Sequence, residues 1–249
     1  MISPELLKGV PALAGVPAGA LEDLARVARE VEYDAGDRIV PLIKPPQQLL
    51  FLLDGLVKLV GVSVNGSERI VYVFRPGEIT GSRVLLDASL EAAYEIVAMQ
   101  HVRAIAVSKH DFLRVVEDHP ELLIAVTREF SRRLAGLASR MLAAMSDEVP
   151  VRLGQLLVDF AAPAGGGDEF VPLSYPLTHE AMAQIIGASR PHTSTVLGDL
   201  EERGLVRRRS ERGLLVCPSR LVVMIRGEYR TPPDSPVKTA RRWESGSSP

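Results

Sequence analysis

The residues in this sequence best suited to act on a partner lie between Thr178 and Val206. Thr178, His179, Ser189, Arg190, His192, Ser194 and Thr195 are all hydrogen-bond donors or acceptors, and none of them is acidic. Thr178 is suited to cap a helix that buries Ala181, Met182, Ile185 and Ile186. Gly187 can take the left-handed conformation that ends such a helix. Ser189 can cap a second helix with Pro191 in its first turn, Val196, Leu197 and Leu200 on its buried side, and Gly204 as its stop. Two short helices joined by a three-residue turn that opens on glycine predict a helix-turn-helix. Along the outward side of the second helix run Arg190, Pro191, His192, Ser194 and Thr195. They supply donors for guanine and phosphate and small groups for a thymine methyl, which is what a helix in the major groove needs. A helical hairpin with a merely solvated polar face is the plainer alternative, and the lack of acids on that face argues against it.

The next segment extends the pattern. The runs 205–209 and 213–216 flank Ser210-Glu211-Arg212, which predicts a hairpin with a basic tip, a wing whose Arg208, Arg209 and Arg212 meet phosphates. By itself, that hairpin would also fit a solvated turn. The net charge of −2 divides unevenly: residues 1–150 carry 16 Lys+Arg against 20 Asp+Glu, whereas residues 176–230 carry 9 against 6. The basic surplus therefore sits where phosphate binding is expected.

Other chemistries find no footing. There is no Ser/His/Asp arrangement at motif spacing, no phosphate loop and no metal-ligand cluster, so neither an enzyme nor a bound metal or cofactor is expected. Glu201-Glu202 and Glu117-Asp118 are adjacent on helices and point apart. The single cysteine, Cys217, cannot form an internal disulfide and fits a reducing cytosol. No run of about 18 uncharged apolar residues is present, and residues 1–16 lack the basic start and apolar block of a signal peptide. A cytoplasmic protein with no membrane partner is the expectation. The residues alone leave open a second class, an effector-binding module whose helix-turn-helix serves protein contacts.

The elements that must position this site are readable upstream. Residues 4–29 carry apolar side chains at helical spacing, interrupted by Pro11 and Pro17. Six apolar runs, at 38–43, 49–53, 56–62, 69–74, 95–99 and 102–107, are separated by turn signals such as Asp54-Gly55, Asn65-Gly66 and Pro76-Gly77. Many short strands punctuated in this way predict a β-barrel or roll. A long helix is expected over 120–146, with Val126, Phe130, Leu134, Leu137, Met141 and Met145 recurring every three or four residues. That stripe suits a seam between two chains, the alternative being a helix packed on its own barrel. A second helix over 150–161 ends in Pro163-Ala164-Gly165-Gly166-Gly167-Asp168, and the last 19 or so residues have little to bury and are expected to form a disordered tail.

Taken together the chain resembles the cAMP receptor protein / fumarate-nitrate reductase regulator (CRP/FNR) family. The resemblance rests on Ala35-Gly36-Asp37, Leu53-Asp54-Gly55, Arg75-Pro76-Gly77-Glu78, Gly81, His119-Pro120-Glu121, Arg132-Arg133-Leu134 and Arg152-Leu153-Gly154-Gln155-Leu156-Leu157, followed by the helix-turn-helix. The Leu197-Gly198-Asp199-Leu200 ending is similar to the branch of cyanobacterial nitrogen regulators. The resemblance implies an α+β fold: N-terminal helices and a cyclic-nucleotide-binding-like β-roll (1–112), a dimerisation helix (113–148), a winged helix-turn-helix (149–226) and the tail (227–249). It also implies a homodimeric transcription regulator with double-stranded DNA as partner, and RNA polymerase as a further partner where it acts as an activator.

The departures from the family pattern are as informative. Ser82 stands where the cAMP-binding branch has a ribose-binding Glu, Ala92-Ala93 where it has the Arg-Ser pair for the cyclic phosphate, and Leu137-Ala138 where it has the Thr-Ser pair for adenine. A phosphate desolvated there would lose its strongest partner, so cAMP is not expected as effector; Arg83 and Tyr94 could suit another anionic or aromatic ligand, or the roll binds nothing. The family's iron–sulfur cysteines and haem motif are missing, although His101 and His110 lie nearby. On the recognition helix Arg190 matches a guanine-reading Arg, but Pro191 replaces a Glu and Thr195 a second Arg; His179, Ser189 and His192 match phosphate-contacting positions.

Overall fold

The computed structural model describes residues 2–41, 47–62, 68–81, 85, 94–146, 148–209 and 213–227. The Asn65-Gly66 turn, the wing tip at 210–212 and the expected tail from 228 onward lie outside them. The chain divides into two compact units, the first ending at Ser146.

The first unit opens with α1 (Pro4–Lys8), a single 3-10 turn (Pro11–Leu13) and α2 (Ala18–Val27). Pro4 and Pro11 sit in the first turns, where a missing N–H costs nothing. Eight strands are described after them: β1 (Arg29–Tyr33), β2 (Arg38–Val40), β3 (Gln48–Asp54), β4 (Val57–Val62), β5 (Glu68–Phe74), β6 (Ile79–Thr80), β7 (Tyr94–Ala98) and β8 (Val102–Ser108). They form two four-stranded sheets with orders β1-β8-β3-β6 and β2-β7-β4-β5, antiparallel throughout. β2 is shorter than the apolar run that predicts it and stops before Pro41, which has no ladder donor.

β3 shows how the layers are made. Alternate residues point to opposite faces. Leu49 and Phe51 join a core with α1, α2 and the helices that follow β8. Leu50 and Leu52 instead join Tyr72, Phe74, Ile96 and Ala104 between the two sheets. Burial on both faces explains why the strand reads as a continuous apolar run rather than an alternating one. At the β3–β4 turn Gly55 has φ +84, and a Cβ there would sit 2.3 Å from the His101 carbonyl oxygen, so only glycine fits.

α3 (Lys109–Asp118) is capped by Ser108, whose Oγ accepts from the Asp111 amide at 3.1 Å. α4 (Pro120–Ser146) runs for 27 residues. The break between them falls at His119, because a residue before proline is disfavoured in the helical region. The expected boundary at 112/113 therefore lies inside α3. Leu122, Ala125 and Val126 of α4 are buried in the helical core of this unit. Further along, Leu134, Met141, Leu142 and Met145 are 66–78% exposed.

The stripe predicted for a seam thus splits in two. Val126 is fully buried by its own chain, Phe130 packs partly against the same core, and Leu137 packs against the inter-sheet core. Leu134, Met141 and Met145 remain available. The correction has a simple cause: the same three-to-four-residue spacing serves a helix's own core and a partner's surface equally well.

The second unit holds α5 (Val149–Asp159), β9 (Val171–Pro172), α6 (His179–Ile186), α7 (Arg190–Glu202), β10 (Val206–Arg209), β11 (Gly213–Val216) and α8 (Pro218–Ile225). β10, β11 and β9 form an antiparallel sheet in that order. Leu153, Leu156, Leu157, Met182, Ala183, Val196, Leu197, Leu200, Leu221 and Met224 fill the core. Cys217, fully buried, immediately precedes α8. No helix of the described residues is long and apolar enough to cross a membrane.

Candidate nucleic-acid interface

α6 and α7 are fixed at their ends by local chemistry. Thr178 Oγ1 accepts from the Ala181 amide at 3.1 Å, and Gly187, at φ +68, closes α6 in the left-handed conformation. Ser189 Oγ accepts from the His192 amide at 3.3 Å and Pro191 occupies the first turn of α7. Val196, Leu197 and Leu200 then face the core, which leaves Arg190, Pro191, His192 and Thr195 exposed on the other side.

The hydroxyl groups of α7 do not all face outward, as their spacing suggests. Thr193, fully buried, donates to the Ser189 carbonyl at 3.0 Å. Ser194 is half-buried and lies 2.9 Å from His179 Nδ1, a bond that ties α7 to the first turn of α6. Thr195 Oγ1 donates to the Pro191 carbonyl at 3.2 Å, the back-bonding common for threonine inside helices. Ser194 and Thr195, expected as outward hydrogen-bonders, have their oxygens engaged within the protein. Arg190 and His192 are left as the exposed polar side chains of the first turn.

The wing carries charge pairs that sequence reading missed. Arg208 Nε is 2.9 Å from Glu201 Oε2 on α7, and the Arg208 amide donates to Glu201 Oε1 at 3.2 Å. Glu201, read as part of a solvated acidic face, therefore fixes β10 to α7. The Arg207 guanidinium lies 3.8 Å from the Phe170 ring centroid. Arg220 on α8 reaches Asp168 at 2.9 Å, and this bond, with one from Ser219, holds the Asp168 carboxyl below its ordinary range. The Gly-rich loop before β9 is therefore pinned at its end. The Arg209 side chain and Arg212 lie outside the described residues. Pro218 in a first turn with Leu221 and Met224 one turn apart is the signal that would have revealed α8; Phe170 gave no local signal.

In the first unit, the space between the sheets contains a cavity of about 250 Å³. Its walls include Leu59, Tyr72, Phe74 and Ile96, and of the residues expected at an effector pocket it includes Tyr94 and Leu137. Ala138 is exposed and is not on the lining, because successive helical residues point about 100° apart. Ser82, Arg83, Ala92 and Ala93 lie outside the described residues. Besides the two tyrosines, the polar lining comes from Thr80 and Arg133, neither picked out by the sequence as a pocket residue. Thr80 Oγ1 and Arg133 Nε are buried with no hydrogen-bond partner.

Arg133 is the hub of this region. Its guanidinium lies 4.6 Å from the Phe74 ring centroid, 5.4 Å from Tyr72 and 5.5 Å from Phe130. It donates to the Ile79 carbonyl and stands 3.6 Å from Glu129 Oε1. Burial pushes the Glu129 carboxyl above its ordinary range against the pull of Arg132 and Arg133. The Tyr72 hydroxyl donates to Glu78 at 2.9 Å, and burial, helped by that carboxylate, pushes its pKa up to about 12.

Comparison with known proteins fits both halves. Residues 30–119 match the model of the cyclic nucleotide-binding domain, and residues 151–221 match the Crp-like helix-turn-helix domain. A CRP-like cAMP-activated global transcriptional regulator of Mycobacterium tuberculosis is 24% identical over 220 residues, covering 87% of this chain and 97% of that protein. A global nitrogen regulator of Nostoc is 27% identical over 167 residues, covering 65% of this chain and 74% of that one. Among solved structures, a CRP/FNR-family transcriptional regulator of Thermus thermophilus aligns with TM-score 0.63 at 23% identity, covering 80% of this chain and 98% of that one. FixK2 of Bradyrhizobium japonicum aligns with TM-score 0.68 at 16% identity, covering 79% and 96%. At these identities the structural matches speak for the fold.

Proposed function

This chain belongs to the CRP/FNR family of DNA-binding transcription regulators, and on that premise we propose that it acts as a homodimer whose two α7 helices read a two-fold symmetric site without requiring cAMP. The observation that carries the reading is the exposed, acid-free first turn of α7. Ser189 and Pro191 fix its start, and His179 braces it through Ser194. Arg190 at the helix start is the donor for a guanine edge. His179, Ser189 and His192 flank it for phosphate, with Thr178 at the α6 cap beside them. Arg208, held by Glu201, adds a basic group to the wing, and the sequence supplies Arg209 and Arg212 as its further phosphate contacts.

The dimer reading rests on Leu134, Met141, Leu142 and Met145, large apolar side chains left in water on the last four turns of α4. The effector reading rests on the roll. Leu137 lines the cavity where the family's cAMP branch offers a hydroxyl, and the sequence supplies Ala92-Ala93 in place of a cation for the phosphate. As an activator the protein would also touch RNA polymerase; transcription in vitro with and without the regulator gives the sign.

The testing experiment is an electrophoretic shift with genomic fragments at rising salt. Binding that is saturable, survives competitor DNA and weakens steeply with salt is expected. Salt-insensitive or wholly non-specific binding would overturn the reading.

A further inference from the structure

The bonding inside α7 points to a base preference. In its first two turns, residues 190–197, each hydroxyl is bonded within the protein: Thr193 to the Ser189 carbonyl at 3.0 Å, Ser194 to His179 at 2.9 Å, Thr195 to the Pro191 carbonyl at 3.2 Å. Pro191 has no N–H and exposes its pyrrolidine ring. Thr195 is exposed while its hydroxyl proton is spent on the helix's own carbonyl, so it has no donor left for a base and its methyl group is open to a partner. Pro191 and Thr195 stand four residues apart, hence on one face and adjacent. Apart from His192, assigned above to phosphate, the exposed surface of these two turns beyond Arg190 is largely carbon.

In the major groove a carbon surface has one specific counterpart, the 5-methyl group of thymine. We propose that Pro191 and Thr195 form an apolar strip that recognises thymine within about three base pairs of the guanine read by Arg190. The spacing follows from geometry: five helical residues rise about 7.5 Å, and stacked bases lie about 3.4 Å apart along a strand. The proposal rests on the reading that α7 enters the major groove. It also states what replaces the second arginine of the family pattern at position 195: a contact that needs no hydrogen bond.

The test uses the full-length protein and needs no variant at first. Sites are selected from random DNA, and in the recovered half-site each thymine is exchanged in turn for deoxyuridine, which removes the 5-methyl group alone. Affinity is read by fluorescence anisotropy. At one thymine close to the guanine, deoxyuridine should weaken binding about fourfold, the effect of one buried methyl at ~0.8 kcal/mol. Thr195→Val should retain that preference for thymine over deoxyuridine, and Thr195→Ser, which keeps the hydroxyl and lacks the methyl, should lose it. Equal affinity for thymine and deoxyuridine at every position would overturn the proposal, as would a preference that survives in Thr195→Ser and disappears in Thr195→Val. Should Arg190→Ala relax the guanine while the deoxyuridine scan stays flat, the thymine contact alone fails. Should no sequence be enriched at all, the groove reading fails and takes this proposal with it.

Discussion

Replacing Arg133 by methionine tests how the β-roll is held to α4. The side chains of Arg133 and Glu129 are 10% and 6% exposed, and their closest approach is 3.6 Å. Removing the cation leaves a buried carboxylate with only Arg132, at 3.1 Å and itself 58% exposed, as a charged partner on its own helix. Breaking a buried pair in this way costs about 3–5 kcal/mol. With Arg132 still present, and with methionine keeping part of the packing on Tyr72, Phe74 and Phe130, about 2–3 kcal/mol is the reasonable figure. At about 2–4 °C per kcal/mol for a unit of this size, the roll should melt roughly 4–12 °C lower at pH 7.5.

The pH dependence gives the sign. The Glu129 carboxyl is already raised in the folded protein by burial, so the native state binds its proton more readily than the unfolded chain. Stability from this group therefore falls as pH rises through the folded pKa and recovers as pH falls. In Arg133→Met the carboxyl is raised further, so the deficit at pH 7.5 should shrink towards pH 5. Glu129→Gln added to Arg133→Met should restore part of the loss at pH 7.5, because the orphaned charge is then gone. Thermal melts by circular dichroism at the two pH values measure both effects. A single variant as stable as wild type at pH 7.5, or a double variant less stable than the single one, would refute the reasoning.

Arg190→Ala should cost about 1–3 kcal/mol of specific DNA affinity and relax preference at one base pair; unchanged preference on a selected half-site would remove Arg190 from base reading. Calorimetry with cAMP should show no tight, saturable binding, and a saturable isotherm would restore the nucleotide as effector. Exchanging Met141 and Met145 for glutamate should shift sedimentation towards the monomer, whereas an unmoved dimer would place the seam elsewhere. His119 bonds Asp23 on α2 at 2.9 Å and Glu121 at 3.2 Å, and the Asp23 bond above all raises its pKa. The stabilisation is then complete below the ordinary histidine range and lost as pH rises through the raised pKa. The melting-temperature gap between wild type and His119→Gln should be widest near pH 6 and close in alkali; a pH-independent gap would deny the role.

What could be read from the sequence was what local chemistry decides. The ends of α6 and α7 are set by Thr178, Gly187, Ser189 and Pro191, each acting within a few residues of itself, and these were readable in advance. The direction of the Ser194 hydroxyl was not, because its partner is His179, fifteen residues away across a turn. Nor was the role of Arg133, which depends on rings from β5 and on Phe130 meeting at one point. β1 escaped notice because Arg29, Glu30 and Glu32 are charged and none of its five residues, at an edge of the sheet, is buried, and β6 because two residues carry no period. The α4 stripe was visible as a stripe. Which half of it faces the protein's own core, and which half water, is a tertiary fact that spacing does not encode.

The most direct test of the central claim is the symmetry of the DNA sequence that the wild-type protein selects from a random pool. Two inverted copies of one half-site are expected, centred about one helical turn apart, each containing the guanine assigned to Arg190. A pool that enriches nothing, or a motif with a single unrepeated half, would contradict that claim.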